Sequence, residues 1–273
     1  MVPSYLLALR EGLEAALIIG IVLGALRKYN RSALSSIVWA GVISATLVSI
    51  AVAFVLYRLG ASLEGAAEEI FEGITMFLAA GVLTWMIFWM HRQARTIKSE
   101  LEANVRRAAT NSGKGTLFSL AFLAVVREGV ELALFLTAAA YATDSQQTVA
   151  GTLLGLGTAA LFGWSLFATT VRLDLRRFFQ VTGVLLILFA AGLVAHGVHE
   201  LNEVGWIPAI VEHVWDINFV LNEDSFIGQL LKALFGYNGN PSLTEVLAYF
   251  GYFVVIVFSL NRNQVRLPAT QET

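Results

Sequence analysis

The sequence predicts an all-α integral membrane protein with seven transmembrane helices, arranged as two inverted three-helix repeats plus a seventh helix. The same reading sets the N-terminus outside and the C-terminus inside. Three observations carry it. The 273 residues are 57% hydrophobic and only 14% charged, and the mean hydropathy of +0.69 is too high for a soluble domain. Several apolar runs reach the ~20 residues that a helix needs to cross a bilayer core of about 30 Å. A charged pentapeptide in the first run, Arg10-Glu11-Gly12-Leu13-Glu14, returns in the fourth as Arg127-Glu128-Gly129-Val130-Glu131.

The spans are expected at about Ser4–Leu26, Leu34–Tyr57, Gly65–Met90, Thr116–Ala142, Val149–Val171, Phe178–His199 and Leu243–Leu260. Arg27, Lys28 and Arg31 follow span 1, and Arg92, Arg95, Lys98, Arg106, Arg107 and Lys114 lie between spans 3 and 4. Arg172, Arg176 and Arg177 join spans 5 and 6, while Arg262 and Arg266 follow span 7. So 14 of the 18 Lys and Arg fall on one side, two sit in the pentapeptides, and only Arg58 and Lys232 lie opposite. The positive-inside rule turns this asymmetry into the stated orientation.

The connections fit it. Gln93–Ala109 reads as a charged helical connector on the inner side, with Asn111-Ser112-Gly113-Lys114-Gly115 as its flexible exit. Residues 204–242 form an acidic outer segment. Within it Ile207, Ile210, Val211, Val214 and Trp215, and then Ile227, Leu230, Leu231, Leu234 and Phe235, recur at helical spacing. They predict two short amphipathic helices on the outer surface. Gly239-Asn240-Pro241 breaks the chain, and Ser242 with Glu245 makes a capping box that opens span 7.

The chain is expected to form a single domain over residues 1–273. The first repeat runs about 1–92 and the second about 116–203, with the pentapeptides as one match. Ala79-Ala80-Gly81 in span 3 and Ala190-Ala191-Gly192 in span 6 are another. An odd number of spans per copy inserts the copies in opposite orientations, an architecture recurrent in secondary transporters. Gly20 with Gly24, and Gly151 with Gly155, allow close helix contact, a common feature of spans.

The pentapeptides pose the central physical problem. An ionisable side chain at mid-helix costs roughly 2.5–3.5 kcal/mol on insertion scales, so four carboxylates and two guanidiniums cost on the order of 15 kcal/mol uncompensated. At about 100° per residue, Arg10, Glu11 and Glu14 share one helical face, as do Arg127, Glu128 and Glu131. Arg10 and Glu14 can pair at i,i+4, and Glu11 and Glu14 can close on one ion at i,i+3. Purely structural ion pairing would call for balanced charge, yet each copy holds two Glu to one Arg. The excess points to a path for a metal cation, with Arg10 and Arg127 neutralising the carboxylates.

Further polar stripes lie near the outer ends. Glu64, Glu68 and Glu72 follow i,i+4 spacing, with Glu69 beside them. They read either as a cation lure that completes an oxygen-rich shell or as a solvated helix start favoured by the dipole. Of these, Glu72 lies deeper. His196, His199, Glu200 and Glu203 stand at i, i+3, i+4 and i+7, the spacing of metal ligands on one stripe. His199-Glu200-Leu201-Asn202-Glu203 lacks the second His of the zinc-protease pattern, so a loading site is preferred over a protease. His91 and His213 read as interfacial and loop residues. Trp85, Trp89 and Trp206 read as aromatic belt or lipid-facing surface.

The chain has no cysteine, which excludes disulfides, iron–sulfur ligation and thiolate metal sites. Metal chemistry must therefore use oxygen and imidazole. No basic patch with interleaved aromatics suggests nucleic acid. The N-terminus lacks the positive n-region of a cleaved signal peptide, so the first run is expected to be retained. Two other readings remain at this point. One is a proton-coupled divalent cation transporter in which the same Glu residues shuttle protons. The other is a membrane haem or metal enzyme using the His-Glu cluster.

Two Arg-Glu-x-x-Glu segments in spans 1 and 4 of a seven-span chain resemble the oxidase-dependent iron permeases, and the bacterial EfeU-type members in particular. The resemblance covers nearly the whole chain, including the basic loop before span 4, the Ala-Ala-Gly spans and the acidic outer segment. It implies import of iron across the cytoplasmic (inner) membrane of a bacterium, with ferric ion from an oxidation step as the transported form. It also implies Glu11, Glu14, Glu128 and Glu131 as the principal iron ligands, with Arg10 and Arg127 beside them. An extracytoplasmic oxidase or iron-delivery protein is the implied partner. Iron would be cargo, with no permanently bound cofactor and no enzymatic activity.

Overall fold

The computed structural model describes residues 1–93, 103, 107, 113–142, 145–168, 175–223 and 225–264. The described residues form α-helices and irregular connections, without strands. The helices are α1 (Val2–Lys28), α2 (Ser35–Gly60), α3 (Ala66–Gln93), α4 (Lys114–Ala142), α5 (Ser145–Ala168), α6 (Leu175–Glu203), α7 (Phe226–Phe235) and α8 (Leu243–Gln264). All seven expected spans are thus helical over the described residues, with ends displaced by only a few residues; 169–171 of the fifth lie outside the described residues. By length and composition, Ser32–Gly60, Ala66–Trp89, Gln146–Ser165 and Gln180–Glu203 suffice to cross a membrane, while Leu243–Ser259 is a shorter apolar stretch. The charges of the pentapeptides set α1 and α4 apart from that purely apolar class.

Local chemistry explains the ends. Pro3 sits in the first turn of α1, where its missing N–H is no loss. Arg27 and Lys28 occupy the last turn, where cations complement the helix dipole. Asn30 then turns to φ 55°, and the Arg31 N–H donates back to Leu26 O at 2.9 Å. The capping box expected at α8 forms: the Ser242 N–H donates to Glu245 Oε1 at 3.0 Å, and the Glu245 N–H donates to Ser242 Oγ at 3.2 Å.

The outer segment departs from expectation. Only one of its two amphipathic stretches is helical, as α7, capped by Ser225 Oγ accepting from the Gly228 N–H and ended by Gly236 at φ 67°. Residues 207–215 are irregular. Gly205 closes α6 at φ 77° and Ile210 takes φ 60°, while Pro208 removes a donor that a new helix would use. Instead the Val214 N–H donates to Pro241 O at 3.0 Å, and the Ile217 N–H to Gly239 O at 2.9 Å. The inner connector at 93–109 lies almost wholly outside the described residues. Of its expected flexible exit, Lys114 and Gly115 belong to the first turn of α4.

Helix pairing is reciprocal. α1 packs along α5, α2 along α4, and α3 along α6, with α1 also meeting α4. Exchanging α1–α3 for α4–α6 interchanges α1–α5 with α2–α4 and returns α3–α6 and α1–α4 to themselves. The central core takes Leu7 from α1, Met76, Ala79, Ala80 and Leu83 from α3, Phe135 and Ala138 from α4, and Ala190 and Leu193 from α6. Ala79 and Ala80 of one repeated tripeptide and Ala190 of the other thus share one cluster, and Ala191 is buried as well. Their glycines differ, because Gly192 abuts Gly236 while Gly81 faces open space. The outer faces of α2, α5 and α8 are apolar and exposed, as at Leu47, Leu153 and Val254. Such faces suit lipid, since helices satisfy their own backbone groups.

Gly155 permits the α1–α5 approach. A Cβ there would stand 2.5 Å from Tyr5 O, 2.8 Å from Ala8 Cβ and 2.9 Å from Leu9 N. By contrast, Gly24 has nothing within 4 Å. Gly155→Ala is expected to lower stability by about 1–3 kcal/mol through overpacking against backbone, read as a reduced melting temperature in detergent, with Gly24→Ala unchanged.

Candidate metal centre

The contact between α1 and α4 brings the two pentapeptides together. The glycine at the centre of each makes this possible. A Cβ on Gly12 would stand 2.7 Å from Ala159 Cβ of α5, and one on Gly129 would stand 2.6 Å from Ser49 Cβ of α2. Each motif thus presses its back against a helix of the other triplet, and its charged side is left facing the α1–α4 seam.

There Glu11, Glu128 and Glu131 each offer a carboxylate oxygen, all within 4.8 Å of one another. Around a small cation held at about 2.0–2.2 Å, three oxygen ligands stand roughly 3.0–3.6 Å apart, so the cluster closes inward to hold one. The setting is dry: Arg10 and Glu11 are each 1% exposed, Glu128 5% and Glu131 9%. Arg10 Nε lies 3.2 Å from Glu14 Oε1, and Arg127 Nε lies 2.9 Å from Glu131 Oε1. Each arginine is also 3.9 Å from the glutamate that follows it. Both oxygens of Glu11, Oε2 of Glu128 and Oε2 of Glu131 are buried without a hydrogen-bond donor. Buried carboxylates in that condition demand positive charge or a proton. Two guanidiniums facing four carboxylates supply half of it.

The pairings expected at i,i+4 are therefore present. The i,i+3 expectation fares differently: Glu14 shares a face with Glu11 but turns to Arg10, and the three-carboxylate cluster draws on the other helix instead.

The outer clusters divide. α3 and α6 approach closely at Gly73, where a Cβ would stand 3.1 Å from Gly197 O and 3.4 Å from Glu200 Cβ. This brings Glu72 within electrostatic reach of Glu200, Glu68 and Glu69. The members of the His-Glu stripe make different contacts. His196 Nδ1 lies 3.1 Å from the carbonyl of Gly192 in its own helix. His199 has Nδ1 3.1 Å from Glu245 Oε1 and Nε2 3.4 Å from Glu203 Oε1. Glu200 turns instead toward α3.

Two partners were not foreseen. Glu245 is a hub as well as a cap: besides Ser242 and His199 it accepts from Asn238 Nδ2 at 2.8 Å. Beside it, the side chain of Asn202 bonds Ser242 and Thr244 at 2.8 and 3.1 Å. The other is Trp89, whose ring centroid lies 4.3 Å from the Arg127 guanidinium carbon. Its assignment to an aromatic belt is therefore incomplete. Trp206, 63% exposed, fits that assignment.

A family model described as the iron permease FTR1 family matches residues 1–261. The chain belongs to this iron permease family. It is similar to the ferrous iron permease EfeU of Shigella sonnei, 34% identical over 264 residues, which covers 95% of this chain and 96% of that one. It is equally similar to the ferrous iron permease EfeU of Yersinia pestis, 34% identical over 265 residues, 95% and 94% of the two chains. No solved structure matches it. As an iron permease family member with long apolar helices, it is a multi-pass membrane protein of the transporter class.

Glu245→Ala deletes the acceptor shared by Asn238, His199 and the Ser242 N–H. The expected loss is about 1–3 kcal/mol, from buried donors left unpaired, read as a lower melting temperature in detergent.

Proposed function

We propose that this protein imports iron across the cytoplasmic membrane of a bacterium, passing the ion between the Arg-Glu-x-x-Glu segments of α1 and α4. The observation that carries this reading is the buried convergence of Glu11, Glu128 and Glu131 from two helices, with carboxylate oxygens lacking donors. Glu14, one residue outside the cluster and paired with Arg10, completes the set once an ion displaces the arginine. Carboxylates are hard donors suited to a small, highly charged ion. The form in transit is therefore read as ferric. The relatives carry ferrous iron in their names, which an oxidation step at the outer side reconciles. An extracytoplasmic oxidase or iron-delivery protein is the partner this requires.

The helices are read as two inverted repeats, 1–92 and 116–203, with α8 added. The exchange symmetry of the pairings α1–α5, α2–α4 and α3–α6 supports it, as does the reciprocal contact of Gly12 with α5 and Gly129 with α2. The one-sided distribution of Lys and Arg supports an outer N-terminus and an inner C-terminus. In this orientation Glu68, Glu69, Glu72 and Glu200, with His196, His199 and Glu203 nearby, mark the outer approach, where acidic charge raises the local cation concentration. Arg10 and Arg127 neutralise the carboxylates that a departing ion leaves behind.

Glu14→Gln and Glu131→Gln are each expected to cut radiolabelled iron uptake into proteoliposomes by at least about tenfold, with protein levels unchanged. Undiminished uptake by both variants removes the mechanism. Supplying ferric and ferrous iron separately reads the transported form. Equal uptake of manganese or zinc together with a requirement for a pH gradient would replace the iron reading with a proton-coupled divalent carrier.

A further inference from the structure

The two arginines of the paired motifs are not equivalent. The Arg10 side chain is shut in, 2% exposed, whereas that of Arg127 keeps 33% exposure. Arg127 also has two kinds of neighbour. Its Nε meets Glu131 Oε1 at 2.9 Å, while its guanidinium carbon lies 4.3 Å from the Trp89 ring and 5.4 Å from the Trp85 ring. These indoles sit one turn apart on α3 and stack on each other at 6.3 Å, 26° between planes. The guanidinium is shared between a carboxylate and an aromatic face.

That arrangement matters when a cation arrives. Glu131 is the carboxylate for which Arg127 and the ion compete, and the two positive charges repel. A guanidinium only one-third exposed that has lost its carboxylate needs another partner. Its other nearby carboxylate, Glu128 at 3.9 Å, belongs to the same cation cluster and is engaged at the same moment. An indole face attracts a guanidinium through its quadrupole without adding charge, and the planar fork of Arg stacks where Lys would not.

We propose that Trp89 is a positioning residue that holds Arg127 beside the seam while Glu131 engages the transported ion, and restores it to Glu131 when the ion leaves. The proposal rests on the reading of Glu131 as a cation ligand. It makes Trp89 part of the cycle, acting only through Arg127, with Trp85 backing it from one turn away.

Two measurements test it. In proteoliposomes, Trp89→Leu is expected to lower the maximal rate of iron uptake about tenfold with little change in half-saturating concentration, and Trp89→Phe, which keeps an aromatic face, to recover to within about threefold of wild type. In iron-free detergent solution, a protein keeping Trp89 while its other five tryptophans are changed to Phe should change emission intensity on Arg127→Gln and not on Arg10→Gln. Where that variant does not fold, the emission change caused by Arg127→Gln in the full-tryptophan protein should fall by more than half on adding Trp89→Phe and vanish when Trp85→Phe is added as well. Unchanged Trp89 emission on Arg127→Gln, or wild-type uptake kinetics in Trp89→Leu, overturns the positioning role. Wild-type vesicles that take up no iron count instead against the import reading alone.

Discussion

Everything in this molecule is arranged around an excess of buried negative charge. Four carboxylates and two guanidiniums meet where α1 touches α4, and no arrangement of ion pairs among these six neutralises them. The scaffold accommodates that imbalance instead of relieving it. Glycines at the centre of both motifs let neighbouring helices press in from behind, so the charged faces meet across the seam, with Arg127 also lying against Trp89. The core beneath is built from small and flexible apolar side chains, among them Ala79, Ala80, Ala190 and Met76, all nearly inaccessible. Small residues allow close helix approach without polar groups, which membrane packing favours.

Much of this was legible in the chain itself. The spans could be read because apolar runs of this length have few other uses. The site could be read because duplicated charges inside such runs are expensive enough to demand a reason. What escaped prediction depends on helix rotation and depth. Trp89 looks like any interfacial tryptophan until α3 is turned so that it covers Arg127. Glu245 announced itself as a cap, but its contact with His199 spans 46 positions and depends on how α8 packs against α6. The local periodicity of residues 207–215 was real, yet Pro208 and the left-handed Ile210 carry the chain into an irregular path tied to 239–241. Likewise spacing put Glu11 and Glu14 on one face without revealing that Glu14 would turn to its own arginine.

The outer end is held by a different kind of chemistry from the seam. Around Glu245 the polar groups are mutually satisfied: cap, amides, hydroxyls and imidazole form a connected set. Networks of that sort rigidify. At the seam, acceptors stand without donors. One end is held by connected hydrogen bonds, while the seam keeps buried carboxylate oxygens without donors.

The reciprocal helix pairing has a mechanical consequence. α1 is interlocked with α5 and α2 with α4, through backbone-close contacts at Gly12, Gly155, Gly41 and Gly129. Each triplet therefore grips the other through two such seams, so neither can part from its counterpart without opening them, and the carboxylate cluster sits between these paired grips where α1 meets α4.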